Sequence, residues 1–133
     1  MKDELRDILQ KAAGKLKAAE ILLELGAWDD AASRAYDARF HAISALHLSR
    51  NNTFSSHAQL IGRFNKDFVK TGTFPQDFTR TLTRLFEDRQ TGDYDVIGAM
   101  TEEEARQDVE DARWIVSSIK AYLESGENIR SDL

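Results

Sequence analysis

The chain has 133 residues, room for one ordinary domain rather than two cores; 41% are hydrophobic and 31% charged, with one proline, no cysteine and a net charge of −5. These values exclude a disulfide framework, thiolate metal sites and cysteine nucleophiles, and they argue against a general polyanion binder, whose affinity comes from a basic surface. The start, MKDELRDILQKAAGKLKAAE, holds no uninterrupted apolar run, and no long apolar stretch follows, so neither a signal peptide nor a membrane span is read, and a soluble cytoplasmic protein is expected.

Five helices are predicted and no strand. Leu5, Leu9, Ala12, Leu16, Ala19 and Leu23 recur at steps of three and four, the rhythm of an amphipathic helix, which Gly26 ends. A second helix, capped by Asp29 or Asp30, runs to about Arg50. Its apolar residues Trp28, Ala31, Ala32, Ala35, Tyr36, Ala42, Ile43 and Leu46 cover a wide arc, as in a central helix touching several neighbours. After the polar loop NNTFSS, Ser56 and Gln59 form a capping box for a third helix that buries Leu60, Ile61, Phe64 and Phe68 and closes at Gly72. Pro75 suits the first turn of a fourth helix, which turns Phe78, Leu82, Leu85 and Phe86 inward. TGDYDVIGAM reads as a loop, and Thr101 with Glu104 as a second capping box. The last helix buries Ala105, Val109, Ala112, Val116, Ile119 and Leu123, stops at Gly126, and leaves residues 125–133 as a fraying tail. Together these elements predict a single all-α domain over residues 1–133, an antiparallel up-and-down bundle of four to five helices.

Two polar features break the pattern. Arg34, Asp37, His41 and Ser44 recur at intervals of three, four and three, which aligns them along one side of the second helix. Arg89 extends the inward stripe of Phe78, Leu82 and Leu85 on the fourth. A buried lone guanidinium costs several kcal/mol, so Arg89 requires a carboxylate, a carbonyl cluster or a bound anion. Asp93 and Asp37 are the candidates in the sequence. If the second and fourth helices are neighbours, one polar pocket holds Arg34, Asp37, His41 and Arg89. The plainer alternatives are an Arg–Asp pair that fixes helix register and a core histidine with one satisfied nitrogen. Histidines at 41, 47 and 57 lack a compact metal spacing, and no Gly-rich phosphate loop is present. Ser44, His41 and Asp37 share one stripe, so their side chains run in parallel and do not converge as a catalytic triad.

The run AASRAYDARFHAISALHL resembles the second helix of HEPN domains (higher eukaryotes and prokaryotes nucleotide-binding). SSH at 55–57, FNKDFVKTG and FEDRQTGDYD resemble the same family in order and spacing, so the likeness covers nearly all of residues 1–125. It implies a helical bundle that pairs as a homodimer. Many HEPN proteins are metal-independent ribonucleases with an arginine followed closely by a histidine. The arginine stabilises the strained phosphate and the histidine handles a proton. Here Arg89 matches that arginine, but Asp93 and Tyr94 stand where the histidine belongs, and a carboxylate repels phosphate and shuttles protons poorly at neutral pH. Arg34 and His41 have a matching separation but fall in the second helix. The segment 89–94 is similar instead to HEPN proteins encoded beside minimal nucleotidyltransferases, in which a tyrosine near the motif can be modified; Tyr94 is the corresponding acceptor. The resemblance therefore implies a non-catalytic module that binds a small anionic ligand, a nucleotide or a nucleotidyltransferase partner, in a toxin–antitoxin-like pair. Its ligand- or partner-binding residues are Arg89, Asp93, Tyr94, Arg34, Asp37 and His41, with no metal, cofactor, DNA or membrane involved. A ribonuclease using Arg89, Asp93 and His41 is the alternative, and a structural scaffold the second.

Overall fold

The computed structural model describes residues 2–54, 56–94 and 100–131; at 57, 85, 86, 88–94 and 126–131 it describes the backbone alone. Five α-helices form: α1 (Asp3–Glu24), α2 (Trp28–Leu48), α3 (His57–Phe64), α4 (Asp77–Tyr94) and α5 (Glu102–Ser131), and no strand occurs among the described residues. A π turn, Asn65–Val69, continues α3 directly.

Local chemistry accounts for the boundaries. Gly26 (φ 79°) and Gly72 (φ 84°) sit in the left-handed region that an L side chain resists, and both end helices where the sequence places a stop. The Ser56 hydroxyl accepts from the Gln59 N–H at 3.2 Å. The Thr101–Glu104 box closes in both directions: Glu104 N–H donates to Thr101 Oγ1 at 3.1 Å, and Thr101 N–H donates to Glu104 Oε1 at 3.2 Å. Three expectations need correcting. The N-cap of α2 is Ala27, with no side-chain cap. Asp29 instead accepts the Met100 N–H at 3.2 Å, which ties the start of α2 to the entry of α5. Further on, α4 runs through Thr91–Tyr94, and α5 passes Gly126 to Ser131. A glycine costs only about 1 kcal/mol inside a helix, so it does not end one by itself.

Cross-contacts define the topology. Asp29 meets Met100 and Arg50 meets Tyr122, so α2 and α5 run parallel. Phe78 packs edge-on to Trp114 while Arg84 reaches Asp108, so α4 runs against α5. With the short α1–α2 turn, the four long helices alternate up and down, and α3 with its π turn bridges α2 to α4. Ala31, Ala35, Ala38, Ala42 and Ala45 are fully buried, which lets neighbouring helices approach α2 closely. At the α3 end the core is aromatic: Phe64, Phe68, Phe74 and Phe78 are stacked or tilted within 6.4 Å of one another along the series. The i→i+5 bond from Lys70 N–H to Asn65 O brings residues five apart towards one face, so Phe64, Phe68 and Val69 are all buried.

His47 fastens this end. It is buried, its Nε2–H donates to the Leu60 carbonyl at 3.0 Å, and its ring lies 4.7 Å from Phe54. Nδ1 has no partner, so the neutral imidazole is the form that fits. Burial pushes its pKa below the ordinary 6.5, against the Leu60 carbonyl and Asp67, which favour the charged form, while Arg63 and Arg50 add to the depression. The unfolded chain then binds the proton first as pH falls. The stability from neutral His47 is complete above the unfolded value and is lost below it. Urea midpoints are expected to drop between about pH 7 and 5 in the wild type and to flatten in His47→Gln. An unchanged slope in the variant would show that His47 does not carry the effect.

Candidate functional site

The second helix presents two polar faces. On the outer one, Arg34 Nη2 pairs with Asp37 Oδ2 at 3.0 Å and also donates to Ser33 Oγ at 3.3 Å. Ser44 turns its hydroxyl back to the Phe40 carbonyl at 2.9 Å, so it is occupied locally. His41 is half-buried, and burial pushes its pKa down; Lys11 and Lys15 of α1 push the same way, and Asp37 opposes them. At neutral pH its imidazole is uncharged and can accept or donate a hydrogen bond but offers an anion no positive charge. The predicted stripe is therefore present, and it lies towards α1 and solvent.

The inner face carries a residue outside the predicted stripe. Arg39 is 1% exposed, and its guanidinium carbon sits 4.4 Å from the centre of the Tyr36 ring. Its Nε, Nη1 and Nη2 make no hydrogen bond of ordinary geometry. Burial pushes its pKa down to about 10, opposed by Tyr36 and by the carboxylates of Asp37 and Asp108, so Arg39 stays charged at neutral pH. Asp108 of α5 is fully buried and accepts from Arg84 Nε of α4 at 3.2 Å. Arg84 Nη2 also pairs with Asp111, whose Oδ1 takes a hydrogen bond from Gln107 Nε2 at 3.0 Å. Arg84 of α4 is thus held by two carboxylates of α5, and the more deeply buried of them, Asp108, also acts electrostatically on Arg39 of α2.

The sequence places an interior guanidinium at Arg89, whose side chain lies outside the described residues; the buried arginine that the structure shows is Arg39, which that reading does not name. Its signal lies in the spacing: Ala32, Arg39 and Leu46 are seven apart, and Arg39 lies between Tyr36 and Ile43 on the buried arc. Asp108 likewise falls on the α5 stripe between Ala105 and Ala112. Of the predicted site residues, the structure joins Arg34 to Asp37 and sets His41 one turn further on. Arg89, Asp93 and Tyr94 belong to the backbone of α4, and their side chains lie outside the described residues. The single pocket containing Arg34, Asp37, His41 and Arg89 also lies outside them. Among the described residues no group of three His, Asp or Glu side chains is arranged to hold a metal, and no helix is long and apolar enough to cross a membrane.

Comparison with known proteins agrees with this architecture. The family model described as "HEPN domain" matches residues 5–122. A Thermotoga maritima protein named "UPF0332 protein" is 32% identical over 115 residues, covering 86% of this chain and 87% of its own length. "Putative toxin MJ0605" of Methanocaldococcus jannaschii is 34% identical over 92% of this chain and 91% of that one. The crystal structure of the Thermus thermophilus protein TT1696 superposes with a TM-score of 0.76 over 90% of this chain and 98% of that chain, at 23% identity. At that identity the likeness is one of fold.

Proposed function

The chain belongs to the HEPN domain family, and on that premise we propose that it is a toxin-type, non-catalytic HEPN module that binds the phosphate of a nucleotide where α2 and α4 adjoin. It acts in the cytoplasm as a homodimer whose cognate partner is a minimal nucleotidyltransferase. The observation that carries the reading is RQTGDYD at the end of α4. The arginine that suits a phosphate is kept, while the position of a proton-shuttling histidine holds Asp93 and Tyr94. Two relatives whose names carry the word toxin, each matching 92% of this chain, support the class. Arg89 meets the anion and is itself held by Asp93 or Asp37, and Tyr94 covers the mouth. Arg34, Asp37 and neutral His41 add a second polar face on α2, towards α1 and solvent.

Titration calorimetry with ATP tests this assignment. Arg89→Ala is expected to lose about tenfold or more in affinity, as for one charge-assisted hydrogen bond. Equal affinity in variant and wild type removes Arg89 from the site. Incubating the purified protein with RNA and a chelator is expected to leave the RNA intact. Cleavage that vanishes in Arg89→Ala would establish the ribonuclease instead.

A further inference from the structure

Helix α1 carries apolar residues on two sides. Leu5, Leu9, Ala12 and Ala19 are buried against the bundle. On the opposite side Gly14, Ala18, Ile21 and Leu25 recur at steps of four, three and four, which sets them within about 60° of one another around the helix. Leu25 continues the helical turn, its N–H bonded to the Ile21 carbonyl at 3.1 Å. Ile21 is 48% exposed and Leu25 75%, two of the three large apolar side chains that stand exposed among the described residues. Gly14 lies mid-helix, where glycine is a poor helix former, and nothing lies within 4 Å of where its Cβ would be. No described neighbour within the chain requires a glycine there.

We propose that this outer face of α1 packs antiparallel on the same face of a second copy, about a two-fold axis that passes between Ala19 and Glu20. This rests on the homodimer of the reading above and names its surface. The stripe is symmetric about that point, so Leu25 of one copy meets Gly14 of the other and Ile21 meets Ala18. Each large side chain enters the space over a small one, and the missing Cβ at Gly14 lets the two helices approach closely. Charge selects the antiparallel direction. Lys11, Lys15 and Lys17 occupy the first half of this segment with no carboxylate among them, and Glu20 and Glu24 the second half with no cation. An antiparallel neighbour lays each half on its opposite, whereas a parallel one sets like charges together. Glu20 is already held by Arg113 at 3.1 Å. Glu24 is left for Lys17 of the second copy, both being exposed and on the same flank of the stripe.

Sedimentation velocity over a concentration series tests the surface. The wild type is expected to dimerise, and Gly14→Leu and Leu25→Ser are each expected to weaken the dimer about tenfold or more. Both variants are expected to keep the helical circular dichroism of the wild type, since Leu25 is largely exposed and the site of a Gly14 side chain is open. Lys17→Glu and Glu24→Lys are expected to weaken the dimer singly and to restore it together, because the double variant reverses the pair instead of removing it. A wild type that stays monomeric overturns both this pairing and the homodimer of the reading above. A dimer unchanged in Gly14→Leu and Leu25→Ser overturns the surface alone and leaves that homodimer standing. A dimer that those two weaken but the double charge variant fails to restore overturns the antiparallel direction.

Discussion

Asp108→Ala is expected to destabilise the fold by about 3–5 kcal/mol, the cost of removing one member of a buried ion pair. The carboxylate is fully buried, and its loss takes from the core a negative charge that holds Arg84 by a hydrogen bond and favours the charged form of Arg39. Asp111 still holds Arg84, which is half in water, so little of the loss arises there. Urea denaturation measures the effect. The double variant Arg39→Met with Asp108→Leu is expected to recover most of the stability, because it removes both charges and their desolvation together. A single variant that loses less than about 1 kcal/mol would mean that Arg39 is solvated or paired elsewhere.

The second large effect belongs to the aromatic end. Phe68→Ala is expected to cost about 3–5 kcal/mol, because the ring is fully buried and the space it leaves is walled by other rings. Phe68 stacks on Phe64 at 5.8 Å, lies 5.9 Å from His47 and edges onto Tyr122 at 6.2 Å. The Arg50 guanidinium sits 4.2 Å above its face. A loss of that size is a large share of the roughly 5–15 kcal/mol that keeps a domain folded. Trp114→Ala is a useful contrast, since Trp114 is 41% exposed although it touches Phe78 at 4.3 Å. Its midpoint shift in urea is expected to be the smaller of the two, and the reverse order would contradict the placement of the core at the α3 end.

Both effects concern residues that one-dimensional patterning treats very differently. Phe68 is legible, because its spacing from Phe64 and Leu60 puts it on an inward stripe and aromatic residues on such stripes are buried. The π turn that carries it is not, since no residue type marks an i→i+5 bond; tertiary packing selects it by burying Phe64, Phe68 and Val69 together. The helix ends divide in the same way. Gly26, Gly72 and the Thr101–Glu104 box act locally and fall where expected. Asp29 looks like a cap but is claimed by Met100, 71 residues away.

The amino-acid sequence by itself determined the all-α class, the order of the helices and most of their inward stripes, which follow from spacings within a few residues and from local capping chemistry. The family was legible from the resemblance of whole segments. Only the tertiary structure decided which polar group goes inside. Helical periodicity gives each side chain an angle, but not the depth of what covers it. Arg34 and Arg39 stand five residues apart on one helix. One faces water beside Asp37, and the other is enclosed because α4 and α5 close over that side of α2, bringing Asp108 within electrostatic range. A buried cation is tolerated only when its counter-charge arrives from elsewhere in the chain, and that arrival depends on how the helices pack.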